Sequence, residues 1–222
     1  MRIVLMFAGV LALAAAAASG QEPVPVEKEP HHKEVFRNDS VQAFHVAVEP
    51  GQATLMHVHA HDDGAVRLKD STFASDVQGQ PPGKPEEAHP GGVSARNNEP
   101  TPLIHRVRNV GTTPFEVIDV QVLSRPPGPA ADPIAPPAAE NAKMRIYRYD
   151  LAPGAASPTH THKRPYLIIA ATDTNLRMTS PDGRSMEHPI KAGDMHWVDT
   201  EVTHSLANVG TERAVMVEFE LK

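Results

Sequence analysis

The chain has 222 residues, a formal net charge of −6, no cysteine and 13 histidines. This length is enough for one or two domains with a substantial buried core. The lack of cysteine excludes disulfides, thiolate metal sites and thiol catalysis. A net negative charge without long runs of basic residues argues against nucleic-acid binding. We therefore expect a small-molecule substrate or ligand.

The first twenty residues have the composition of a secretory signal. Arg2 precedes an apolar run over residues 3–18, and small residues stand ahead of the polar break that begins at Gln21. The run is shorter than the roughly 20 residues that a membrane span requires. We therefore expect residues 1–20 to be a cleaved signal peptide, with a periplasmic or secreted mature protein and no stable membrane span.

The amino-acid composition divides the mature chain into four segments. Residues 21–33 carry prolines and mixed charges and are expected to be a flexible lead-in. Residues 34–125 contain short strand-like runs of alternating character. Residues 126–142 are rich in Pro and Ala, which predicts either a linker or a strap laid over a barrel. Strand-like runs resume in 143–222, and no helical period is sustained after the signal, so the fold is predicted to be all-β.

The two halves differ most at a Pro-rich insertion over residues 77–102. Loops of about 25 residues without structure of their own are uncommon and are usually lids or disordered segments. A lid or partner-contact loop is the favoured interpretation, and a solvent-exposed loop is the alternative. If the insertion disturbs the N-terminal barrel, the C-terminal half holds the better-formed site.

Two motifs occur once in each half. A Pro-Gly pair and five further residues precede His57-x-His59, and the same arrangement precedes His160-x-His162. His105 and His204 each begin the pattern His-x3-Asn-Val-Gly-Thr. The offsets between the copies, 103 and 99 residues, differ by only a few residues. Such a repeat predicts two similar β-barrels in tandem, and its Asn either lines a pocket or fixes a turn.

The repeated histidines have the spacing of metal ligands. Side chains two apart on a strand share a face, so each His-x-His pair can hold an ion at about 2.0–2.1 Å from each nitrogen. A third nitrogen must come from another strand, because one strand cannot surround the ion. This predicts two three-histidine sites that leave coordination positions open. The predicted metal ligands are His57, His59 and His105 in one half, and His160, His162 and His204 in the other.

At these residues the chain resembles the cupin superfamily, and specifically a bicupin. The cupin first motif, G-x5-H-x-H, is matched from Gly51 and from Gly154, and the second motif is matched by Gly193, His204 and Asn208. The resemblance covers roughly residues 35–222. It implies two tandem double-stranded β-helix, jelly-roll-like barrels, each able to bind Fe, Mn, Ni, Zn or Cu. It also implies a possible homodimer.

The chain departs from the family at the glutamate that usually completes the metal site. Asp63 stands at that position in the first half and Tyr166 in the second, and both keep the strand parity of the His-x-His pair. Asp63 is either a metal ligand or a proton-handling group. Tyr166 is either a proton donor beside the metal or a core aromatic. These two residues are the catalytic candidates, and His31 and His32 are expected to face solvent.

These observations favour an exported, metal-dependent oxidoreductase, dioxygenase-like, that acts on a small organic molecule. Two alternatives remain open. One is a barrel that binds a metal or small ligand without catalysis, because a fold alone does not fix function. The other is a metal-assisted isomerase or lyase, which would use the same ligands.

Overall fold

The computed structural model describes residues 22–222, so the predicted signal peptide at 1–20 lies outside the described residues. Residues 22–222 form two β-barrels, each built from two facing sheets. In this part of the chain no helix is long and apolar enough to cross a membrane. The two tandem barrels predicted from the repeat are confirmed.

The N-terminal barrel contains ten strands and a single 3-10 turn at Val26–Lys28. One sheet has the order β1-β4-β9-β6-β7 and the other β2-β3-β10-β5-β8. The strands are β1 Val24–Pro25, β2 His32–Arg37, β3 Val41–Val48, β4 His57–His59, β5 Asp63–Arg67, β6 Ser71–Val77, β7 Glu86–Ala88, β8 Val93–Arg96, β9 Leu103–Asn109 and β10 Phe115–Val122.

The C-terminal barrel repeats this arrangement with nine strands. Its sheets have the orders β11-β12-β19-β14-β17 and β13-β18-β15-β16. The strands are β11 Ala139–Glu140, β12 Met144–Leu151, β13 His160–His162, β14 Tyr166–Ala170, β15 Thr174–Thr179, β16 Ser185–Ile190, β17 Met195–Val198, β18 Val202–Asn208 and β19 Ala214–Leu221.

Three boundaries differ from the sequence prediction. The lead-in expected to be flexible contains β1, the 3-10 turn and the start of β2, and its Val26 and Glu29 are almost fully buried. The Pro-rich insertion contains β7 and β8 and is therefore part of the barrel. Residues 139–140 of the predicted linker form β11, which pairs with β12. In each case a Pro-rich segment is ordered because a few of its residues pair with a neighbouring strand.

The preceding part of the linker is a strap over the C-terminal barrel. Arg145 donates from Nη1 to the Ala131 carbonyl at 2.6 Å, and the Ile134 backbone N–H donates to the Tyr147 hydroxyl at 3.3 Å. Arg164 donates to the carbonyl of Pro127. Proline carbonyls remain free to accept although proline has no N–H to donate, which suits such a segment to side-chain anchoring.

The largest apolar cluster lies between the barrels. It joins residues of β3, β5 and β10 to residues of β12, β14 and β19, all nearly inaccessible. The sheets approach closely at Gly64, where an added Cβ would lie only 2.7 Å from Ile146 Cδ1. Burying a large aliphatic or aromatic side chain contributes about 1.5–3 kcal/mol. The seam therefore contributes much of the stability of a chain without disulfides.

The repeated Pro-Gly and Asn-Val-Gly-Thr motifs meet at the same turn in each barrel. Gly51 and Gly154 have φ of +76° and +78°, a conformation that favours glycine. Their N–H groups donate to the carbonyls of Asn109 and Asn208. The Asn208 amide donates to the Leu151 and Glu212 carbonyls, and Asn109 makes the equivalent bonds in the first barrel. The repeated Asn therefore fixes a turn and does not line the site.

Candidate metal centres

The three predicted histidines of the C-terminal barrel meet in its interior. β13 pairs antiparallel with β18 so that His160 lies directly opposite His204, and their Nε2 atoms are 2.9 Å apart. His162 follows two residues along β13 on the same face and is fully buried. Its ring centroid lies 5.0 Å from that of His160 and 5.5 Å from that of His204.

Glu218 completes this cluster from the opposite sheet. Its Oε2 lies 3.0 Å from His162 Nε2, and its Oε1 lies 3.6 Å from His204 Nε2. The side chain is fully buried, yet neither carboxylate oxygen has a hydrogen-bond partner in residues 22–222. The prediction that this barrel lacks the family's glutamate rests on the position after the His-x-His pair, which holds Tyr166. The last strand supplies the carboxylate.

The charges within this cluster depend on one another. Burial lowers the pKa of His162, but the two carboxylates beside it, Glu218 and Glu220, outweigh burial and raise it to about 9. Burial lowers the pKa of His204 to about 4, against the attraction of Glu218. Without a cation, a proton on His162 therefore compensates the buried carboxylates. A metal ion would satisfy the same oxygen atoms more completely.

A second carboxylate orients His162 from outside the cluster. His162 donates from Nδ1 to Glu220 Oε2 at 2.8 Å, which leaves Nε2 directed at Glu218. The Tyr147 hydroxyl donates to Glu220 Oε1 at 3.4 Å. A carboxylate behind a ligating imidazole fixes its tautomer and increases its basicity. The strap is therefore connected to His162 through three successive hydrogen bonds, by way of Tyr147 and Glu220.

Two tyrosines flank the cluster. Tyr166 stacks on His162 with ring centroids 4.0 Å apart, and Tyr149 stacks on His160 with its hydroxyl 3.1 Å from His160 Nε2. Burial, together with Glu218, raises the pKa of both phenols well above the ordinary value. Both hydroxyls stay protonated at neutral pH, so they can donate hydrogen bonds inside the barrel. Tyr149 was not anticipated from the sequence.

The N-terminal barrel brings its own three histidines together. His57 lies opposite His105 across β4 and β9, with ring centroids 4.6 Å apart. The Nε2 atoms of His57 and His59 are 3.1 Å apart. His57 donates from Nδ1 to the Leu55 carbonyl at 2.8 Å, as His160 does to Pro158 at 3.0 Å. The two motifs thus set the same tautomer in both barrels.

The carboxylates of this barrel lie on the far side of His59. Asp63 Oδ2 is 3.1 Å and Asp119 Oδ2 is 3.7 Å from His59 Nδ1, the ring nitrogen that faces away from His57. Burial and the neighbouring Asp63 raise the pKa of Asp119. Burial lowers the pKa of His59, but Asp119 and Asp63 raise it further, with a net increase. Asp63 therefore sits where it can orient His59, outside the three-histidine group.

A fourth histidine enters from the N-terminal strap, defined as residues 22–32. The His32 ring centroid lies 4.6 Å from that of His57, and its Nδ1 lies 2.6 Å from Glu29 Oε2. His32 is buried, so the expectation that it faces solvent was wrong. His31 also contacts Glu29, with its Nδ1 3.0 Å from Oε1. A charged carboxylate inside the strap attracts both rings and draws the segment onto the barrel.

Both clusters fit a divalent ion. Two nitrogens at about 2.0–2.1 Å from one ion lie about 2.9–3.4 Å apart at octahedral or tetrahedral angles, and the short Nε2 pairs of 2.9 and 3.1 Å match this range. His160, His162, His204 and Glu218 form one group of converging donor atoms, His32, His57 and His59 form a second, and His59, Asp63 and Asp119 form a third; the predicted ligand His105 belongs to none of these groups. Buried atoms without a hydrogen-bond partner among the described residues include His105 Nε2, His162 Nε2 and both Glu218 oxygens.

Known proteins support this assignment. Residues 147–220 match the family model described as a cupin domain. The beta-alanine degradation protein BauB of Pseudomonas aeruginosa is 30% identical over 83 residues, which cover 37% of this chain and 86% of that protein. The chain belongs to the cupin superfamily.

Solved cupin structures share the fold of both barrels. AerE from Microcystis aeruginosa aligns over 87% of this chain and 98% of its own, with a TM-score of 0.57 and 12% identity. A salicylate 1,2-dioxygenase variant from Pseudoaminobacter salicylatoxidans, solved with gentisate, aligns over 89% and 76% with a TM-score of 0.53 and 13% identity. Oxalate decarboxylase from Bacillus subtilis, with Mn(II) centres, aligns over 82% and 69% with a TM-score of 0.53 and 12% identity.

Proposed function

We propose that this cupin is an exported, metal-dependent oxidoreductase, dioxygenase-like, that acts on a small organic molecule in its C-terminal barrel. One observation carries the proposal: Glu218 is fully buried among three histidines, and its oxygens have no hydrogen-bond partner within residues 22–222. A buried charge must be paired, and a metal ion would pair both oxygens of Glu218, whereas a proton on His162 faces only one of them.

The donor set suits a divalent transition-metal ion such as Fe, Mn, Ni, Zn or Cu. Imidazole suits Fe, Ni, Zn and Cu, and the carboxylate suits Mn. Three nitrogens and one carboxylate leave positions open on a six-coordinate ion, as a catalytic site requires. When bound, such an ion supplies Lewis acidity and, where it is redox-active, one-electron chemistry with dioxygen. Fold relatives that include a dioxygenase solved with gentisate and a decarboxylase with Mn(II) centres are consistent with this chemistry.

The chain's own residues contribute positioning and protons. Glu220 and Tyr147 orient His162, and the Pro158 carbonyl orients His160. Tyr166 and Tyr149 remain protonated and face the cluster, so each can donate a proton to a developing anion on a bound substrate. In the N-terminal barrel, Asp63 contacts Nδ1 of His59 and can orient this imidazole.

The test is oxygen uptake by the mature protein after reconstitution with Fe(II) or Mn(II), using a panel of small organic substrates. We expect uptake coupled to product formation, and loss of both in His160→Ala. Turnover of a substrate without oxygen uptake would favour the isomerase or lyase alternative. Ligand binding without any turnover at full metal occupancy would favour a non-catalytic binding protein.

Export is part of the same proposal. It is supported by the basic residue, apolar run and small residues of segment 1–20. Mass spectrometry of the protein purified from its native compartment should give a mature N-terminus close to Gln21. A full-length chain that is confined to the cytoplasm would contradict export and leave the metal chemistry unaffected.

A further inference from the structure

The histidines of the N-terminal barrel have little free space around them. The cavity that they line together with Phe73 and Phe115 measures about 50 Å³. One water occupies about 30 Å³ of liquid, and small-molecule sites usually measure about 300–1,000 Å³. This interior can therefore enclose an ion, but it is too small to hold an organic substrate beside that ion.

Two phenylalanines fill this interior. Phe73 and Phe115 occupy the repeat positions of Leu176 and Ala214, and their ring centroids lie 4.7 Å apart. Both are buried in the apolar cluster that also contains Val26 of the N-terminal strap. A site enclosed by packed side chains is typical of a structural metal, whereas a catalytic metal keeps a coordination position open.

The N-terminal strap supplies one of the donor atoms that converge in this barrel. One ring nitrogen from each of His32, His57 and His59 lies within 4.8 Å of the other two, and all three side chains are buried. β4 carries two of these histidines, and the strap carries the other. His105 lies beside the group, with its ring centroid 4.6 Å from that of His57.

Glu29 fixes the orientation of the strap histidine. His32 donates from Nδ1 to Glu29 Oε2 at 2.6 Å, so its Nε2 remains available to an ion. Glu220 provides the same support to Nδ1 of His162 in the other barrel. A carboxylate in this position fixes the tautomer of a ligating imidazole and increases its basicity. The surroundings of His32 are therefore those of a metal ligand.

The strap is attached to the segment that carries the other ligands. β1 pairs parallel with β4, with Val24 opposite His57, and the Val24 N–H donates to the Met56 carbonyl at 3.0 Å. The Leu55 N–H donates to Glu29 Oε1 at 3.0 Å, and the Leu55 carbonyl accepts from His57 Nδ1 at 2.8 Å. Because the same backbone holds both parts, docking of the strap and placement of the β4 histidines depend on each other.

The repeat shows why the histidine enters only this barrel. His32 is paired with Val46 on β3, and Val46 occupies the repeat position of Tyr149. Tyr149 stacks on His160 with ring centroids 5.3 Å apart, whereas His32 lies beside His57 at 4.6 Å. The small Val46 side chain leaves room for a ring from the strap, and the large Tyr149 side chain fills the corresponding place.

We infer that the N-terminal barrel holds a closed structural metal site in which His32 is a ligand, so that metal binding locks the strap onto the barrel. The strap begins directly after the predicted signal peptide, and the ion therefore ties the start of the mature chain to its first barrel. An ion that binds only the docked state stabilises that state by mass action.

The experiment follows zinc binding and strap docking together. The parent protein is the mature chain with His160→Ala, which weakens the C-terminal centre; chelator competition gives its Zn(II) affinity, and hydrogen exchange with mass spectrometry follows the amides of residues 22–32. Zinc should slow their exchange about tenfold or more. Adding His32→Ala should lower the zinc affinity about 100-fold or more, because a direct ligand is lost, and Glu29→Gln should lower it about tenfold, because the supporting carboxylate loses its charge. In the His32→Ala chain, zinc should no longer slow exchange of the strap.

His31→Ala is the matched control. His31 contacts the same Glu29 carboxylate but is not among the converging donors, so zinc affinity and strap exchange should match the parent. Exchange of β19 reports the folding of each variant and should also match. Parental zinc affinity in the His32→Ala chain, or strap exchange that zinc still slows there, would overturn the inference. An equal loss of affinity in His31→Ala would assign the effect to the contact with Glu29 and overturn it too. The test measures no turnover and concerns the barrel without the proposed chemistry, so its outcome is separate from that of the oxidoreductase proposal.

Discussion

The two barrels show how one repeat supports two different metal environments. Asp119 and Glu218 occupy the same repeat position on β10 and β19, and they differ by one methylene. The longer Glu218 reaches Nε2 of His162, whereas Asp119 stays near Nδ1 of His59. The N-terminal strap, residues 22–32, supplies His32 to the first barrel. The Pro- and Ala-rich strap over the second barrel contributes only backbone groups to its contacts with Arg145 and Tyr147. The reach of one carboxylate and the additional His32 therefore separate the two sites.

The largest effect should come from removing one ligand in each barrel. His160→Ala should lower the metal content by up to about one ion per chain, because it removes one of the four converging donors of the C-terminal group. Elemental analysis of the wild type should give between about one and two ions. His57→Ala tests the other barrel in the same assay. Unchanged metal content in both variants would remove the proposed coordination from both barrels.

The next prediction concerns Glu218 and Asp119, the carboxylates at the same repeat position in the two barrels. Glu218→Gln should weaken metal binding to the C-terminal barrel by about 100-fold, as expected when a direct donor loses its charge. Asp119→Asn, the matched change in the other barrel, should weaken its site by no more than about tenfold, because this carboxylate only faces the outer nitrogen of His59. Chelator competition measures both constants. Equal losses of metal affinity in the two variants would contradict the proposal that Glu218 reaches its metal site and Asp119 does not.

A pH-dependent difference should arise from Asp76, which lies at the inserted segment of the N-terminal barrel. Hydrogen bonds from Arg108 and Arg106, and from the Gly83 N–H, hold the pKa of Asp76 well below its ordinary value despite burial. A lowered pKa in the folded state adds stability above about pH 4, and this stability is lost as the pH falls below that value.

Asp76→Asn should therefore destabilise the protein by about 1–2 kcal/mol at pH 7, and the difference should shrink below about pH 4. Chemical denaturation at several pH values measures this. Asp182→Asn, at an exposed ion pair with Arg184 in the C-terminal barrel, is the control and should change stability by less than about 0.5 kcal/mol. A pH-independent loss in Asp76→Asn would contradict the electrostatic explanation.

The smallest expected effects are the same in both barrels. Gly51→Ala and Gly154→Ala place a Cβ in open space but at positive φ, so the cost is backbone strain of about 1 kcal/mol in each case. Thermal unfolding measures both. A cost several times larger in one barrel would show that the two Pro-Gly turns are not equivalent.

Much of the fold could be predicted from the sequence, because repetition constrains it twice. The His-x-His pairs and the Asn-Val-Gly-Thr segments of the two halves align at a nearly constant offset. Strand parity places the two histidines of each His-x-His pair on one face. Two barrels and two groups of three histidines follow from those positions. The second-motif offset also pairs Asp119 with Glu218, a signal that was available in the sequence.

The remaining site residues were harder to find for physical reasons. Glu218 and Glu220 lie in an otherwise apolar strand, and charged residues in such a run indicate either an exposed edge or a buried site. His32 belongs to a segment whose composition is typical of flexible chain; its order comes from Glu29 and from pairing with a distant strand. Contacts of this kind depend on tertiary packing and leave no local pattern.

The apolar seam between the barrels has a consequence for how this protein can change. Because that seam contributes much of the stability, the stability of the chain depends less on the residues inside each barrel. A duplicated domain joined in this way can exchange alanine for phenylalanine, or glutamate for aspartate, around a metal centre while its architecture is retained. One half can then specialise in chemistry while the other acquires a separate task.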